Sequence, residues 1–267
     1  MQKKIAVIND LSGYGRCSLT VAIPVLSAMG HQCCPVPTAI LSNHTEFPVY
    51  FFDDYTEKMT TYTDKWKELG LSFDAIATGF LGSEAQIGIV MEIVQKLKAE
   101  KTFVVVDPVM GDHGHAYETY TPEMCEQMKE LVCMADVVLP NVTECCILTD
   151  TPYKEENWTR KELLNMAMML RLMGAKSVVI TGVREGSYYT NVVLEQGRYD
   201  ARFIRTKSSG GERPGTGDVF SSVVAGALLN GKSLPEAVAQ AGIKANLALS
   251  SYRFIDPNED FDFETDE

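Results

Sequence analysis

The residues best suited to chemistry lie in Arg213-Pro214-Gly215-Thr216-Gly217-Asp218, just before a run of small and apolar residues that reads as a helix. Gly215 and Gly217 free the backbone to turn. A helix start presents N–H groups without intrahelical partners at the positive end of the dipole, so it attracts anions. A carboxylate placed there repels the anion unless it has a task. One task fits: Asp218 accepts a proton from an alcohol that attacks phosphorus while the N–H groups hold the phosphoryl group. An acid that only stabilises the helix dipole is the alternative.

Polar and glycine residues also follow six runs that read as strands. They are Asp10 with Ser12-Gly13-Tyr14-Gly15, Ser42-Asn43-His44-Thr45, Gly79-Phe80, Asp107 through Asp112, Pro140-Asn141-Val142-Thr143-Glu144, and Thr181-Gly182. In open α/β sheets ligands collect at the carboxyl ends of strands, so these groups outline an active-site rim. The first of them, a glycine turn between a strand and a helix, invites a dinucleotide reading. The fingerprint fails: Ser18 stands where the third glycine is needed, and the second strand ends in Pro37-Thr38-Ala39-Ile40 without a ribose-binding acid. No Walker loop is present either. His113-x-His115 lacks further Cys or His nearby and makes a weak metal site; a mobile loop over a nucleotide is the expectation for it.

The elements that must position these residues follow from hydrophobic periodicity. Strands are expected at Ile5–Asn9, Cys33–Ala39, Ala75–Gly79, Thr102–Asp107, Val137–Pro140 and Ser177–Thr181. Helices are expected at about 18–29, 55–69, 84–99, 122–134, 143–149 and 160–173. Ile87, Val90, Met91, Val94, Leu97 and Lys98 mark a sheet-facing stripe on one of them. Alternation of this kind predicts a mostly parallel sheet with helices on both faces. An antiparallel pair, Ser187–Leu194 and Tyr199–Thr206, and two helices at about 218–230 and 235–250 complete the chain. The organisation expected is one domain over 1–255, a flap at about 42–52, and an acidic tail at 256–267. Met166, Met168, Met169 and Met173 read as core filling on a helix.

The 267 residues, 45% of them apolar, suffice for one sizeable core. A net charge of −12 repels DNA and RNA, so no nucleic-acid partner is expected. The seven cysteines form no CxxC pair, which fits reduced and mostly buried thiols in a cytosolic protein. No stretch approaches the ~20 apolar residues of a membrane span, and no signal peptide is evident. The expectation is a soluble cytoplasmic protein without a membrane partner.

Pro214-Gly215-Thr216-Gly217-Asp218 resembles the C-terminal signature of the ribokinase-like small-molecule kinases. Leu41-Ser42-Asn43-His44-Thr45 and Asp107-Pro108-Val109-Met110-Gly111-Asp112 resemble the pyridoxal kinases more narrowly. Pro140-Asn141-x-x-Glu144, Val178-Val179-Ile180-Thr181 and Gly215 through Phe220 complete the series in order, and the resemblance spans about residues 4–250. It implies a three-layer α/β/α kinase that uses ATP and Mg²⁺ to phosphorylate the 5-hydroxymethyl group of a vitamin B6 vitamer, commonly as a homodimer.

By that resemblance Asp218 is the base, and Gly215, Thr216 and Gly217 form the anion hole. Asn141 and Glu144 organise the metal–phosphate shell, Asp107 lies near the ATP phosphates, and Glu144 and Asp107 reach the metal through water. Asp112 and Thr181, the latter followed by Gly182, resemble positions that hold a monovalent cation such as K⁺ or the ATP phosphates. Thr45 touches the pyridine ring and Phe80 stacks on it, with Asn43 and Ser12 beside them. Asp10 falls where many pyridoxal kinases have a ring-binding serine. Asp10-Leu11-Ser12-Gly13 also resembles the Asp-x-Ser-Gly turn of the hydroxymethylpyrimidine kinases, which keeps the pyrimidine alcohol, or dual specificity, open as an alternative. The segment after Met110 carries no cysteine, so covalent trapping of an aldehyde there is not expected. A silent vitamer-binding protein would lack a reason to keep Asp218, Asn141, Glu144 and the glycines together.

Overall fold

The β-branched runs of the sequence lie side by side in a nine-stranded sheet. The computed structural model describes residues 2–45, 47–208 and 214–251. The acidic tail expected at 256–267 lies outside them. In chain order the elements are β1 (Lys4–Tyr14), α1 (Ser18–Ala28), β2 (Gln32–Asn43), β3 (Phe52–Asp54), α2 (Thr56–Glu68), β4 (Ala75–Thr78) and α3 (Glu84–Leu97). Then come β5 (Phe103–Val106), β6 (Gly111–Asp112), β7 (His115–Ala116), α4 (Pro122–Cys133), β8 (Val137–Val138), α5 (Val142–Thr149) and α6 (Arg160–Met173). The chain continues with β9 (Ser177–Glu185), β10 (Tyr188–Leu194), β11 (Arg202–Lys207), α7 (Thr216–Leu229) and α8 (Leu234–Ser251).

Sheet order is β11-β10-β9-β8-β5-β4-β1-β2-β3. The centre, from β2 to β9, is parallel, and antiparallel strands close both edges. Helices cover both faces, as expected. Leu19, Leu26, Val224 and Val238 pack on one side under α1, α7 and α8; Ile87, Ile93, Met128 and Leu170 pack on the other under α3, α4 and α6. Burying two faces explains why the central strands are continuous apolar runs rather than alternating ones. Side-chain caps set several helix starts: Ser83 for α3, Thr121 for α4, and full capping boxes at Asn141/Glu144 for α5 and Thr159/Glu162 for α6.

Three expectations change. First, β1 and β2 do not stop at Asn9 and Ala39. After a bulge between Asn9 and Leu11 they continue pairing through Tyr14↔Asn43. Asp10-Leu11-Ser12-Gly13 is therefore bulged strand, and the turn falls at Gly15, whose φ is 100°. Polar alternation looks like loop composition in a sequence, whereas here it is a strand end held by its neighbour. Second, His113-x-His115 forms a two-residue hairpin, β6–β7, with positive φ at His113 and Gly114. The Gly114 N–H donates to Thr143 Oγ1, which pins the hairpin to α5. Third, the methionines of α6 are not all core: Met166 is buried, but Met169 is 41% exposed. The segment expected as a flap links β2 to the three-residue β3, with the Ser42 N–H donating to Phe51 O.

Candidate functional site

Asp218 sits in the first turn of α7, whose N-cap, Gly215, has a left-handed φ of 79°. A Cβ on Gly215 would lie 1.8 Å from the Arg16 carbonyl oxygen, so only glycine lets α7 approach the turn after β1 this closely. Gly217 differs: among the described residues, its chain neighbours and own helix aside, no atom lies within 4 Å of where its Cβ would be. The packing of the described residues leaves that space unused.

Both oxygens of Asp218 are held from the other end of the sequence. Asn9 Nδ2 donates to Oδ1 at 3.1 Å, and the Ser18 N–H donates to Oδ2 at 2.8 Å. Asn9 in turn accepts from the N–H groups of Asp10 and Phe80. Gly79 is what admits it, because a Cβ there would meet the Asn9 side chain at 2.4 Å. Burial raises the Asp218 pKa to about 6, helped by the Asp10 charge and opposed by the bonds from Ser18 and Asn9. Such a carboxylate is a better proton acceptor near neutrality than an ordinary aspartate.

A second acidic centre lies across the strand ends. Burial raises Asp107 well above the usual carboxylate range, and the charges of Glu144 and Asp218 add to it; the Ser221 hydroxyl and the Val109 N–H oppose the shift. Val109 has a φ of 30°, a strained value for a β-branched residue. Glu144 is buried, and its pKa is raised to about 7, mainly by burial. Its oxygens accept from the N–H groups of Met110 and Asn141 at 3.0 and 2.8 Å. Asn141 Nδ2 donates to Gly111 O, and Asn141 bridges Thr181 across the strand ends. Gly182, with φ 71°, donates its N–H to buried Asn191. Asp112, Asn141, Glu144, Thr181 and Gly182 thus join one continuous wall, with Asp112 exposed on it.

Among the described residues no cluster of three or more His, Cys, Asp or Glu can hold a metal alone. Glu144 already has both oxygens on backbone N–H groups, so a cation beside it would be held through water rather than directly. Asp107 and Glu144, each destabilised as an anion mainly by burial and further by neighbouring acids, could suit a hard cation completed by water and phosphate oxygens.

Asn43 serves the flap: its side chain accepts from the Ser42 hydroxyl and donates to Val49 O. Thr45 is exposed in the same loop. The Phe80 ring is partly buried against the core, and its carbonyl accepts from Thr38. Asp10 and Ser12, expected beside the substrate ring, are buried; Asp10 is 6% exposed, and its two oxygens accept from the hydroxyls of Ser12 and Ser18. Asn9, Ser18 and Ser221 were not singled out from the sequence. The one signal for them is polarity at a strand end or in the first turn of a helix.

A model of the phosphomethylpyrimidine kinase family matches residues 22–253. The chain belongs to this family. Within it, the kinase is similar to a protein of Bacteroides thetaiotaomicron provisionally named a phosphomethylpyrimidine kinase. The two share 40% identity over 95% of this chain and 89% of that one, with a TM-score of 0.90. Another crystal form of that protein was obtained with pyridoxal. The pyridoxal kinase of Lactobacillus plantarum is 30% identical, covering 94% of this kinase and 88% of its own chain, with a TM-score of 0.86. The pyridoxal kinase of Dictyostelium discoideum is 27% identical over 85% of this chain and 78% of its own. These likenesses place the kinase in the ribokinase-like superfamily, among pyridoxal kinase-type enzymes.

Proposed function

We propose that the kinase transfers the terminal phosphoryl group of ATP to the 5-hydroxymethyl group of a vitamin B6 vitamer: pyridoxal, pyridoxamine or pyridoxine. The observation that carries the reading is a carboxylate, Asp218, held by both oxygens and raised to about 6, in the first turn of a helix whose glycine start leaves open space. The alcohol gives its proton to Asp218 as its oxygen attacks phosphorus in line. The N–H groups of Gly215, Thr216 and Gly217 face the charge on the migrating group. Asn43, Thr45 and Phe80 border the ring. Asp107 and Glu144 would be the residues that hold Mg²⁺, largely through water, and the cation would supply charge neutralisation of the phosphates. Asp112, Thr181 and Gly182 lie along the nucleotide side, where K⁺ would also be held.

The names of the L. plantarum and D. discoideum proteins, and the crystal form of the B. thetaiotaomicron protein with pyridoxal, support this substrate class. A second reading, phosphorylation of hydroxymethylpyrimidine, is favoured by the family description and by Asp10-x-Ser12-Gly13. Initial rates with ATP and Mg²⁺ over pyridoxal, pyridoxine, pyridoxamine and the pyrimidine alcohol separate the two. The expected outcome is the highest kcat/KM for a B6 vitamer; a clear preference for the pyrimidine overturns it. The setting proposed is the cytoplasm. The proposed assembly is a homodimer, supported by the exposed apolar run Val49-Tyr50-Phe51-Phe52 leading into edge strand β3.

A further inference from the structure

Ser18, the first residue of α1, is buried, and its φ of 55° is one that a serine rarely adopts. Such a conformation persists only where its surroundings over-determine it. Here it aims two donors at two different acids: the N–H at Asp218 Oδ2, 2.8 Å away, and the hydroxyl at Asp10 Oδ1, 2.5 Å away. The other half of the circuit runs through Asn9, which accepts from the Asp10 N–H at 3.0 Å and donates to Asp218 Oδ1 at 3.1 Å. Asp10, Ser18, Asp218 and Asn9 therefore close a ring of four hydrogen bonds. Asp10 has its second oxygen on the Ser12 hydroxyl at 2.8 Å. The bulge in β1 is what turns Asp10 into this ring instead of continuing the regular alternation.

We propose that Asp10 is a positioning residue for Asp218: by anchoring the Ser18 hydroxyl it holds the Ser18 N–H that orients the reacting carboxylate, and it does not bind the substrate ring. This rests on the reading of Asp218 as the base. A bystander carboxylate could be lost without consequence for turnover. A ring-binding carboxylate would be felt in KM and would differ between alcohols. A positioning group is felt in kcat, equally for every alcohol.

The test is steady-state kinetics of Asp10→Ala, Ser18→Gly and the double variant with each vitamer and the pyrimidine alcohol, with kcat referred to folded enzyme. Glycine adopts φ 55° freely, so Ser18→Gly keeps the backbone donor and deletes only the hydroxyl link. Each single variant is expected to lose about 10- to 100-fold in kcat, with KM for the alcohol changed by no more than about twofold. The double variant is expected to be no slower than the worse single one, because both remove the same link. A raised KM with kcat retained in Asp10→Ala, or losses that multiply in the double variant, overturns the proposal. Should Asp10→Ala not fold, Ser18→Gly alone decides: unchanged kcat overturns the proposal, and reduced kcat with unchanged KM supports it. Asp218→Asn serves as the reference. Near-normal turnover there removes the base assignment itself, whereas an inert Asp218→Asn beside a fully active Asp10→Ala removes only the role given to Asp10.

Discussion

At the residue scale the chemistry turns on how one carboxylate is kept basic. Asp218 loses solvent at the α7 N-terminus, and that loss outweighs the two hydrogen bonds that favour its charge, leaving its pKa at about 6. The working form of a base is the unprotonated one. Turnover is therefore expected to fall on the acid side as pH drops through about 6, with kcat/KM for the alcohol, which reports the free enzyme, showing the limb. Asp218→Asn should lose ~10²–10⁴ in kcat and keep nucleotide affinity, which calorimetric titration with an ATP analogue would check. The two glycines before it make different demands. Gly215→Ala forces a Cβ against the Arg16 carbonyl at a positive φ, so a lower yield of folded protein and a lower Tm are expected. Gly217→Ala meets no atom of the described residues beyond its own helix, so Tm should hold while kcat falls, since the methyl group would enter the space proposed for the phosphoryl group. Equal Tm losses in the two variants would show that Gly217 serves packing after all.

At the element scale, the site is assembled by strand ends and helix starts, and its ties are local caps that also serve the cleft. The capping box at α5 shows this. Glu144 and Asn141 satisfy the first turn of their own helix, and the same side chains hold Met110 and Gly111 in the loop after β5. The opposite end of the sheet has a stability device with no reach into the site. Asp136, just before β8, accepts from the Val104 N–H at 2.7 Å and pairs with Lys176 at 2.6 Å and Lys98 at 3.3 Å. These partners outweigh its burial and hold its pKa below the ordinary 3.8. Its contribution is therefore present above the unfolded value and lost as pH falls through the lowered folded one. Asp136→Asn is expected to cost about 1.5 kcal/mol at neutral pH, and less as pH falls below 3.8. Urea titrations at neutral and acid pH measure both, and activity per folded molecule should not change.

At the scale of the whole molecule, two features follow from the topology. The parallel centre brings the ends of β1, β4, β5, β8 and β9 to one edge, which is how residues far apart in sequence meet in a single cleft. Among the described residues β3 is an edge strand, paired with β2 alone, and it follows Val49, Tyr50 and Phe51, the last 64% exposed. An apolar edge of this kind is ordinarily covered. Sedimentation velocity is expected to show a dimer, and replacing Phe51 and Phe52 with serine should give monomers. A wild-type monomer at micromolar concentration would remove the homodimer from the proposal. Among the described residues no helix is long and apolar enough to cross a membrane.

The amino-acid sequence by itself determined the order of the helices and of the central strands and the α/β/α layering, and it singled out Gly215–Asp218 as a candidate centre. Those features are written in short-range signals: apolar spacing, cap residues, and glycines beside an acid. Asn141 and Glu144 were legible as polar residues after a strand and through the Pro140-Asn141-x-x-Glu144 resemblance; the capping box they form came only with the structure. What the tertiary structure decided is which partners complete the centre. Asn9 and Ser18 reach Asp218 across 209 and 200 residues of chain, and no local pattern encodes that meeting. Asp10 looked like an exposed turn residue because aspartate and serine next to glycine usually are. Pairing with β2 kept the strand going, a bulge redirected the side chain inward, and burial then required it to find the hydroxyls of Ser12 and Ser18. A carboxylate's type is set by the chain, but its role is set by which groups take its hydrogen bonds once water has been removed.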